Sequence, residues 1–412
     1  METFDVVIVG AGPAGGHCAR LLAEAGVQIL LVERSPDFAI NSFSSAGTPL
    51  ETLQTYRLPD SVVGSFWQKL VVVSSHNTGK WESQQPLGAV LDFTKLREFL
   101  ADTVRQAGGD VWMGCQYLRH VYEEQSLMVT LKSRSQPAEV TVKTKILVDA
   151  TGPARAVMYA RERDKPPFIS GTGLEYLIEV DVECYQTHAN ALTFLLGHKW
   201  IPKGYSWVFP MEPNRLKVGA GALRLKHTIV SEEVPLKRSI ELLLHDYLKP
   251  QTYKILDIHG ATLRYCSQLQ DVYYRDRVVA IGDAVSTVNF LGGEGIRHAM
   301  HSATIAAHHI QRHLNHQTSD FQAYQREMYA VFRTQWNLSE RMGIKKYLQD
   351  TDELVDRFVS YLQPLSLEDV VDILFFYKFG KTRKGLGPYL QRKLTAVWNL
   401  LYQGLHKQEL HK

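Results

Sequence analysis

Three glycines near the amino terminus have a spacing that can bind a phosphate group. Gly10, Gly12 and Gly15 follow an apolar segment of strand length, residues 4–9, and a helical pattern begins near Pro13. The first glycine permits a tight turn, the second lets the backbone approach a pyrophosphate, and the third lets the helix pack closely on the strand. The phosphate would then meet unpaired N–H groups at the positive end of the helix dipole.

An acidic residue follows at the distance that a ribose-binding carboxylate needs. Residues 28–32 form a second, mainly apolar segment that ends at Glu33, next to Arg34 and about 20 residues beyond the glycines. A carboxylate at the end of such a strand can accept hydrogen bonds from ribose hydroxyls. The opening of the chain therefore predicts a complete βαβ nucleotide-binding unit.

A second glycine-rich pattern lies much later in the chain. The apolar residues 278–281 lead into Gly282 and Asp283, and the glycine-rich residues 292–295 precede another helical pattern. Open parallel sheets bind ligands at the carboxyl ends of their strands, so Asp283 could accept hydrogen bonds from ribityl hydroxyls. The N–H groups of the second glycine loop could stabilise negative charge on a reduced flavin ring. Together, the two patterns indicate one extended FAD molecule.

The residues predicted to contact FAD lie in the glycine-rich turns and at the ends of the predicted strands. Residues 146–148 add one such strand end, because the Ala-Thr-Gly that follows would leave bare backbone beside the cofactor. The predicted cofactor-binding residues are Gly10, Gly12, Ala14, Gly15, Glu33, Arg34, Ala46, Gly47, Ala150, Thr151, Gly152, Gly282, Asp283, Gly292, Gly293, Gly295 and Ile296.

Length and composition are those of a two-domain globular protein. The chain has 412 residues, of which 45% are hydrophobic and 22% charged, and its net charge is +3. This length allows one large domain and a second one, and the weak charge argues against nucleic acid as a partner. The four cysteines are scattered without metal-ligand spacing and predict buried thiols in a reducing compartment. We find neither a signal peptide nor a membrane span, and expect a cytoplasmic protein without a metal site.

The order of predicted elements indicates an α/β protein. We expect a Rossmann-like FAD-binding domain at residues 1–164 and 268–330, an inserted antiparallel β-sheet substrate domain at 165–267, and a helical C-terminal region at 331–412. In the first domain, residues 140–142 are predicted to end a meander of short strands. Residues 146–148 are predicted to form a separate, buried strand.

An aromatic segment in the second domain resembles the signature of a known family. Tyr205-Ser206-Trp207-Val208-Phe209-Pro210 is similar to the Tyr-x-Trp-x-Phe-Pro motif of geranylgeranyl reductases. With the two glycine-rich patterns, it makes residues 1–313 resemble this family within the flavin-dependent monooxygenase fold group. The resemblance implies that FAD, reduced by a nicotinamide donor such as NADPH, delivers hydride to isolated double bonds of a prenyl chain. Related reductases commonly carry a cysteine near the flavin, where residues 44–47 here contain none.

The same segment supplies the candidate substrate and catalytic residues. Tyr205, Trp207 and Phe209 alternate along a predicted strand and so share one face, which suits an apolar chain. Reduction of an isolated alkene also needs a proton at the second carbon. Tyr205 is the candidate donor, although a core tyrosine with a satisfied hydroxyl is an equal alternative, and Gly293 is a candidate through its backbone N–H. A second dinucleotide fingerprint is missing, so NADPH would have to visit the flavin transiently.

Several other functions are compatible with the same motifs. The chain could be a flavin-dependent monooxygenase that acts on an aromatic or polyketide-like substrate, or a flavin-dependent carotenoid cyclase. It could also be a flavin-bound carrier or a membrane-docked binding protein. Oxygen consumption, net hydride transfer and lipid binding without turnover would distinguish these alternatives.

The C-terminal segment predicts a basic amphipathic helix. Four apolar residues share one of its faces, and two cationic residues lie nearby. These are Leu390, Leu394, Trp398 and Leu401, with Arg392 and Lys393. Such a helix can lie on an anionic membrane surface, or it can pack on the protein with its basic edge in water. A lipid-embedded prenyl substrate would favour peripheral membrane contact, and the oligomeric state is left unpredicted.

Overall fold

The computed structural model describes residues 1–40, 42–134, 138–224 and 235–387. The strands are β1 (Thr3–Val9), β2 (Ile29–Val32), β3 (Gly47–Pro49), β4 (Val63–Trp67), β5 (Lys69–Val73), β6 (Thr78–Glu82), β7 (Gly88–Leu91), β8 (Asp110–Trp112), β9 (Cys115–Tyr122), β10 (Leu127–Ser133), β11 (Glu139–Asp149), β12 (Ile169–Val180), β13 (Ala191–Leu196), β14 (Gly204–Met211), β15 (Arg215–Arg224), β16 (Tyr253–Tyr265), β17 (Tyr274–Arg275) and β18 (Val278–Ala280). The α-helices are α1 (Pro13–Glu24), α2 (Glu51–Thr55), α3 (Phe93–Gln106), α4 (Val182–His188), α5 (Leu236–Leu242), α6 (Ile296–Leu314), α7 (Gln322–Ile344), α8 (Asp352–Leu362) and α9 (Leu367–Leu374).

The first sheet places the two glycine-rich patterns at one edge. Its core strand β1 is apolar and buried on both faces, as expected for a parallel strand covered by helices. It pairs in parallel with β2 and β11, and β11 pairs in parallel with β18. The carboxyl ends of these strands therefore lie side by side. Helix α1 packs against α3 and α6 over this sheet.

One predicted strand boundary is wrong. Residues 140–142 and 146–148 belong to a single strand, β11, rather than to two. Its first half pairs antiparallel with β10, and its second half pairs in parallel with β1. Thr144 lies at the junction, fully buried, and its hydroxyl donates to the carbonyl of Ile146 at 2.8 Å. Pairing on both sides thus continues the strand through its polar residues.

The second sheet is the predicted inserted sheet, with one difference in membership. Its strand order is β16-β12-β15-β14-β13-β5-β6. All its pairs are antiparallel except β5 with β13, which run in parallel. Strands β5 and β6 come from residues 69–82, inside the range predicted for the FAD-binding domain. The predicted domain boundaries stay predictions, but this sheet draws strands from both sides of one of them.

The described part of the C-terminal region is helical, and its helices α8 and α9 pack on the second sheet. Val359 and Leu362 of α8 and Val370 of α9 share one apolar cluster with Trp81 and Leu192 of that sheet. In the described ranges, no helix combines the length and the apolar character that a bilayer crossing requires. The predicted amphipathic segment around Trp398 lies outside the described residues.

Candidate functional site

The first glycine turn is packed tightly at two positions and open at the third. A Cβ added to Gly10, whose φ is +104°, would lie 2.3 Å from the carbonyl oxygen of Ala150. A Cβ added to Gly15 would lie 1.8 Å from the carbonyl oxygen of Gly10. Both glycines therefore let β1, β11 and α1 approach one another. Gly12 differs, because a Cβ there would meet no atom within 4 Å. Open space thus faces the N-terminus of α1.

Glu33 lies beside this turn, as its position after β2 predicts. Its carboxylate accepts hydrogen bonds from the N–H groups of Ala11 at 3.0 Å and Ser35 at 2.9 Å. The side chain is buried, whereas Arg34 next to it is exposed. Each carboxylate oxygen can accept more than one hydrogen bond. Glu33 is therefore oriented by the backbone and keeps acceptor capacity.

Residues 150–152 complete the same strand edge. The Thr151 hydroxyl donates to the buried carboxylate of Asp149 at 2.6 Å, and that carboxylate also accepts from the N–H of Met158 at 2.8 Å. Thr151 is thus committed to shaping the turn. Gly152 has a φ of +62°, and nothing lies within 4 Å of a Cβ added there. Bare backbone follows β11, as the sequence predicts.

The second pattern meets the first at the start of α1. A Cβ added to Gly282 would lie 2.7 Å from the Cβ of Ala14, so glycine allows this close approach. The half-buried carboxylate of Asp283 accepts from the N–H of Val288 at 3.1 Å. Burial raises its pKa, and the positive charge of Arg155 opposes that shift. Asp283 lines a cavity together with Pro13, so the two distant patterns form one site.

The glycine loop before α6 is held by hydrogen bonds within itself. The N–H of Gly292 donates to the side-chain oxygen of Asn289 at 3.1 Å, and the N–H of Gly293 donates to the Asn289 carbonyl at 2.9 Å. The role of these two N–H groups toward the flavin stays a prediction. Gly293 lines the cavity, as do Gly295 and Ile296 at the N-terminus of α6. The first N–H groups of a helix have no partner within it.

The cavity between the two sheets, which we call the front cavity, has a volume of about 270 Å³. Pro13, Asp283 and Ile296 line one side, and strands of the second sheet line the other. Gly219 makes room for the indole that lines this side, because a Cβ added to Gly219 would lie 2.2 Å from the Trp207 ring. The front cavity thus extends from the strand edge to the aromatic motif.

The three aromatic residues of the motif share one face of β14 but line different spaces. The rings of Tyr205 and Trp207 are 5.7 Å apart, and both line the front cavity. Phe209 lines a second cavity of about 100 Å³, which we call the rear chamber. Tyr205 lines both cavities. Its hydroxyl donates to the carbonyl of Gly292 at 3.3 Å, and burial raises its pKa to about 12.

Tyr347 also lines both cavities, and sequence analysis missed it. It lies in a π-helical segment, Lys345–Gln349, and its hydroxyl donates to the carbonyl of Leu291. Its ring centre is 5.9 Å from that of Tyr205. It is a single tyrosine in a polar part of the sequence, and no motif around it indicates a binding-site residue.

Lys217 is a second residue that the sequence did not indicate. It is buried on β15, and its ammonium donates to the carbonyls of Ser44 at 2.8 Å, Leu91 at 3.2 Å and Ser45 at 3.4 Å. Burial lowers the pKa of Lys217, and the negative charge of Glu175 opposes that shift. Lys217 therefore fixes the loop that lines the front cavity at Ser44 and Ser45.

Two predicted cofactor contacts lie on that same loop but not in the front cavity. Ala46 has a φ of +55° and is buried, and its carbonyl accepts from the N–H of Leu91. Gly47 lines the rear chamber, where a Cβ would lie 3.0 Å from the ring of Phe209. The loop thus borders the site through its serines.

A buried network supports the glycine loop from behind. The carboxylate of Glu294 accepts two hydrogen bonds of 2.8 Å from Arg297 and lies 3.2 Å from a ring nitrogen of His298. The hydroxyl of Tyr377 donates to the same carboxylate at 3.2 Å. Burial favours the neutral acid, but His298 and Arg297 outweigh it and lower the pKa of Glu294 to about 2. The network therefore ties the start of α6 to the C-terminal region.

These features fit a bound FAD on structural grounds. The space in front of Gly12 is open, and a side chain at this position would fill it. The N-termini of α1 and α6 point into the same site and can stabilise anionic groups. Glu33 and Asp283 place carboxylates at the two ends of that region. Among the described residues, no group of three or more His, Cys, Asp or Glu side chains could hold a metal ion.

Comparison with known proteins gives one family match. Residues 3–335 match the model of an FAD binding domain. A digeranylgeranylglycerophospholipid reductase of Haloferax volcanii is 29% identical over 350 residues, which cover 80% of each chain. Digeranylgeranylglycerophospholipid reductase 1 of Methanopyrus kandleri is 23% identical and covers 90% of this chain and 94% of its own length.

Solved structures agree on the fold. A geranylgeranyl bacteriochlorophyll reductase-like protein of Thermoplasma acidophilum has a TM-score of 0.81 at 20% identity, covering 97% of this chain and 100% of its own. A p-nitrophenol 4-monooxygenase of Pseudomonas putida has a TM-score of 0.70 at 14% identity, covering 93% of this chain and 99% of its own. The predicted α/β class with an inserted sheet is thereby confirmed.

Proposed function

The chain belongs to the FAD-binding domain family and is an FAD-dependent oxidoreductase; from this premise, we propose that it reduces isolated double bonds of a prenyl chain with electrons from NADPH. The observation that carries this proposal is the front cavity. It extends from Asp283 and Ile296 to the aromatic wall of Tyr205 and Trp207, and its lining is mainly apolar. An elongated hydrocarbon fits such a space, since a small number of polar groups interrupts an apolar surface.

In this proposal, the residues at the strand edge hold the cofactor. Gly12 leaves room for the pyrophosphate, Glu33 binds a ribose, and Asp283 binds the ribityl chain. The N-terminus of α6, at Gly295 and Ile296, would stabilise negative charge on a bound flavin ring. Bound FAD supplies the hydride. NADPH would visit transiently, because the sequence carries one dinucleotide fingerprint.

The remaining chemistry belongs to the front cavity. Trp207 and Tyr205 hold the prenyl chain and exclude water from it. One alkene carbon takes the hydride and the other takes a proton, for which Tyr205 is the proposed donor. A tyrosine of ordinary pKa is already protonated at neutral pH, so the proton is present, and the raised pKa of Tyr205 makes it a weaker acid. The hydroxyl proton is donated to the carbonyl of Gly292, so this hydrogen bond has to break before the proton can reach the alkene.

The test is anaerobic mixing of the NADPH-reduced holoprotein with geranylgeranyl lipids. We expect flavin reoxidation and a mass increase of one hydrogen molecule per reduced double bond. No reoxidation by any prenyl lipid would overturn the proposal. Oxygen consumption with oxygen insertion would identify a monooxygenase, and an isomerised product without net electron transfer would identify a cyclase.

We also propose that the protein acts in the cytoplasm and touches membranes peripherally through its C-terminal segment. The basic and apolar residues around Trp398 support this interpretation, as does the water-insoluble substrate. Co-sedimentation with anionic vesicles tests it. Equal sedimentation of the full chain and of a chain ending at residue 387 would overturn it.

A further inference from the structure

The rear chamber lies beyond Tyr205 and has no role in the chemistry above. We propose that it binds the distal end of the substrate's hydrocarbon chain, and that Tyr205 and Tyr347 form a movable partition in front of it. This inference rests on the proposed function and adds to it a site that sets chain-length preference.

The lining of the rear chamber suits a hydrocarbon end. Its walls are mainly aromatic and aliphatic side chains from the second sheet and the C-terminal helices. They include Phe194, Leu196, Phe209, Phe358, Leu362 and Phe375. Its one acidic lining residue, Glu294, already accepts hydrogen bonds from Arg297 and Tyr377. A polar headgroup would find no free partner of opposite charge among these residues, whereas a chain end needs none.

The volume of the rear chamber also suits the end of a hydrocarbon chain. Its volume is about 100 Å³, and an apolar cavity of about 150 Å³ can hold a benzene molecule. The chamber is thus on the scale of one terminal isoprene unit. Side chains that line an unfilled apolar space lack packing partners on that side. A substrate end would provide those contacts.

The partition is thin and is held at its polar ends. Tyr205 and Tyr347 line both cavities, with ring planes inclined by 34°. Their hydroxyls donate to successive carbonyls, those of Gly292 and Leu291. The free energy of stabilisation from one such hydrogen bond is about the same as that from burying one or two methylene groups. An entering chain can therefore compensate for the displacement of a ring.

The backbone around the partition is adapted to it. A Cβ added to Gly293 would lie 2.2 Å from the Tyr205 hydroxyl, so only glycine leaves that hydroxyl in place. Tyr347 lies in the π-helical segment Lys345–Gln349, and such irregular helical turns occur frequently at functional sites. Both features concentrate at the boundary between the two cavities.

Filling the chamber tests the proposal. Leu196→Phe adds volume to a half-buried lining residue at the end of β13, and Leu314→Phe is the matched control at the end of α6. We expect Leu196→Phe to lower the kcat/KM ratio of geranylgeranyl to farnesyl substrates about tenfold, with unchanged FAD content. The control should keep the wild-type ratio. Equal effects on both substrates would overturn the chamber's role.

A second variant covers the case in which Leu196→Phe fails to fold. Tyr347→Phe keeps the ring and removes its bond to Leu291, so the geranylgeranyl to farnesyl ratio should rise; an unchanged ratio contradicts the partition. Xenon in pressurised crystals gives a readout without turnover: it should occupy the rear chamber of the wild type. If the wild type reduces neither substrate, the proposed function fails first, and the inference fails with it.

Discussion

The indole N–H of Trp207 donates a 2.7 Å hydrogen bond to the carboxylate of Glu175, and both side chains are buried. Trp207→Phe keeps an aromatic ring but leaves the carboxylate without this donor. A buried acceptor without a partner costs about 1–3 kcal/mol. We therefore expect the free energy of unfolding, measured in urea, to fall by that amount while FAD content is retained.

A double variant serves as the control for this pair. Because Glu175 also offsets the buried positive charge of Lys217, the control is a double-mutant cycle with Glu175→Gln: Trp207→Phe should cost less stability in the Glu175→Gln background than in the wild type. If Trp207→Phe alone unfolds at the wild-type urea concentration, the hydrogen bond does not stabilise the fold. Unchanged turnover of prenyl substrates by Trp207→Ala would remove this residue from the proposed substrate wall.

Gly12 should be needed for the cofactor and not for the fold. A Cβ there would meet no protein atom within 4 Å, and the side chain would extend into the space proposed for the pyrophosphate. We expect Gly12→Val to reduce FAD affinity at least about tenfold, equivalent to about 1.4 kcal/mol. The ratio of flavin absorbance to protein absorbance measures the retained cofactor.

Gly380→Val is the matched control, because a Cβ at Gly380 also meets nothing within 4 Å and that residue lies far along the chain. It should purify with full cofactor, and once both variants are stripped of FAD they should have the same thermal midpoint, because bound cofactor by itself raises the midpoint. A yellow, fully loaded Gly12→Val protein would contradict the cradle.

Asp283 should hold FAD through its oxygen atoms. Asp283→Asn replaces one acceptor by a donor, and hydrogen bonds to charged groups contribute about 1.5–3 kcal/mol. We expect the dissociation constant for FAD, titrated into the apoprotein, to rise about tenfold to a hundredfold. Asp276→Asn is the control, since that exposed carboxylate lies in the turn between β17 and β18. Equal affinity of both variants would exclude Asp283 from the site.

Glu294 should make stability depend on pH at the acidic end. Its folded pKa of about 2 lies below the ordinary value of 4.5. Its contribution is thus fully present above pH 4.5 and is lost as the pH falls towards about 2. The difference in unfolding free energy between wild type and Glu294→Gln should be on the order of 3 kcal/mol near neutral pH and should shrink over that window. A difference in unfolding free energy that does not change with pH would contradict an ionised Glu294 in the folded protein.

Local patterns were sufficient to predict the strands and glycine turns around which the nucleotide site is proposed. Gly10, Gly12 and Glu33 follow from strand, turn and helix signals within a short stretch, and Gly282 with Asp283 repeats that logic. The parallel pairing of β1, β11 and β18 then brings both patterns together. These residues alone were enough to predict an FAD-binding fold.

The errors and omissions come from contacts between distant residues. In the sequence, Thr144 indicates a break between two strands. In the structure, β11 pairs with β1 on one side and β10 on the other, so Thr144 is buried and the strand continues through it. Asn289 accepts hydrogen bonds from the N–H groups of Gly292 and Gly293. A glycine-rich pattern in the sequence does not indicate this partner. Lys217 resembles a solvent-facing strand residue, yet it is buried under the loop at Ser44.

The walls that close the rear chamber include a part of the chain that the family match does not reach. Phe358, Leu362 and Phe375 all follow residue 335, where that match ends. If the chamber binds a chain end as proposed, substitutions in these walls would change which chain lengths the protein accepts. They would leave Gly12, Glu33 and Asp283 untouched, so selectivity and coenzyme binding could be altered separately.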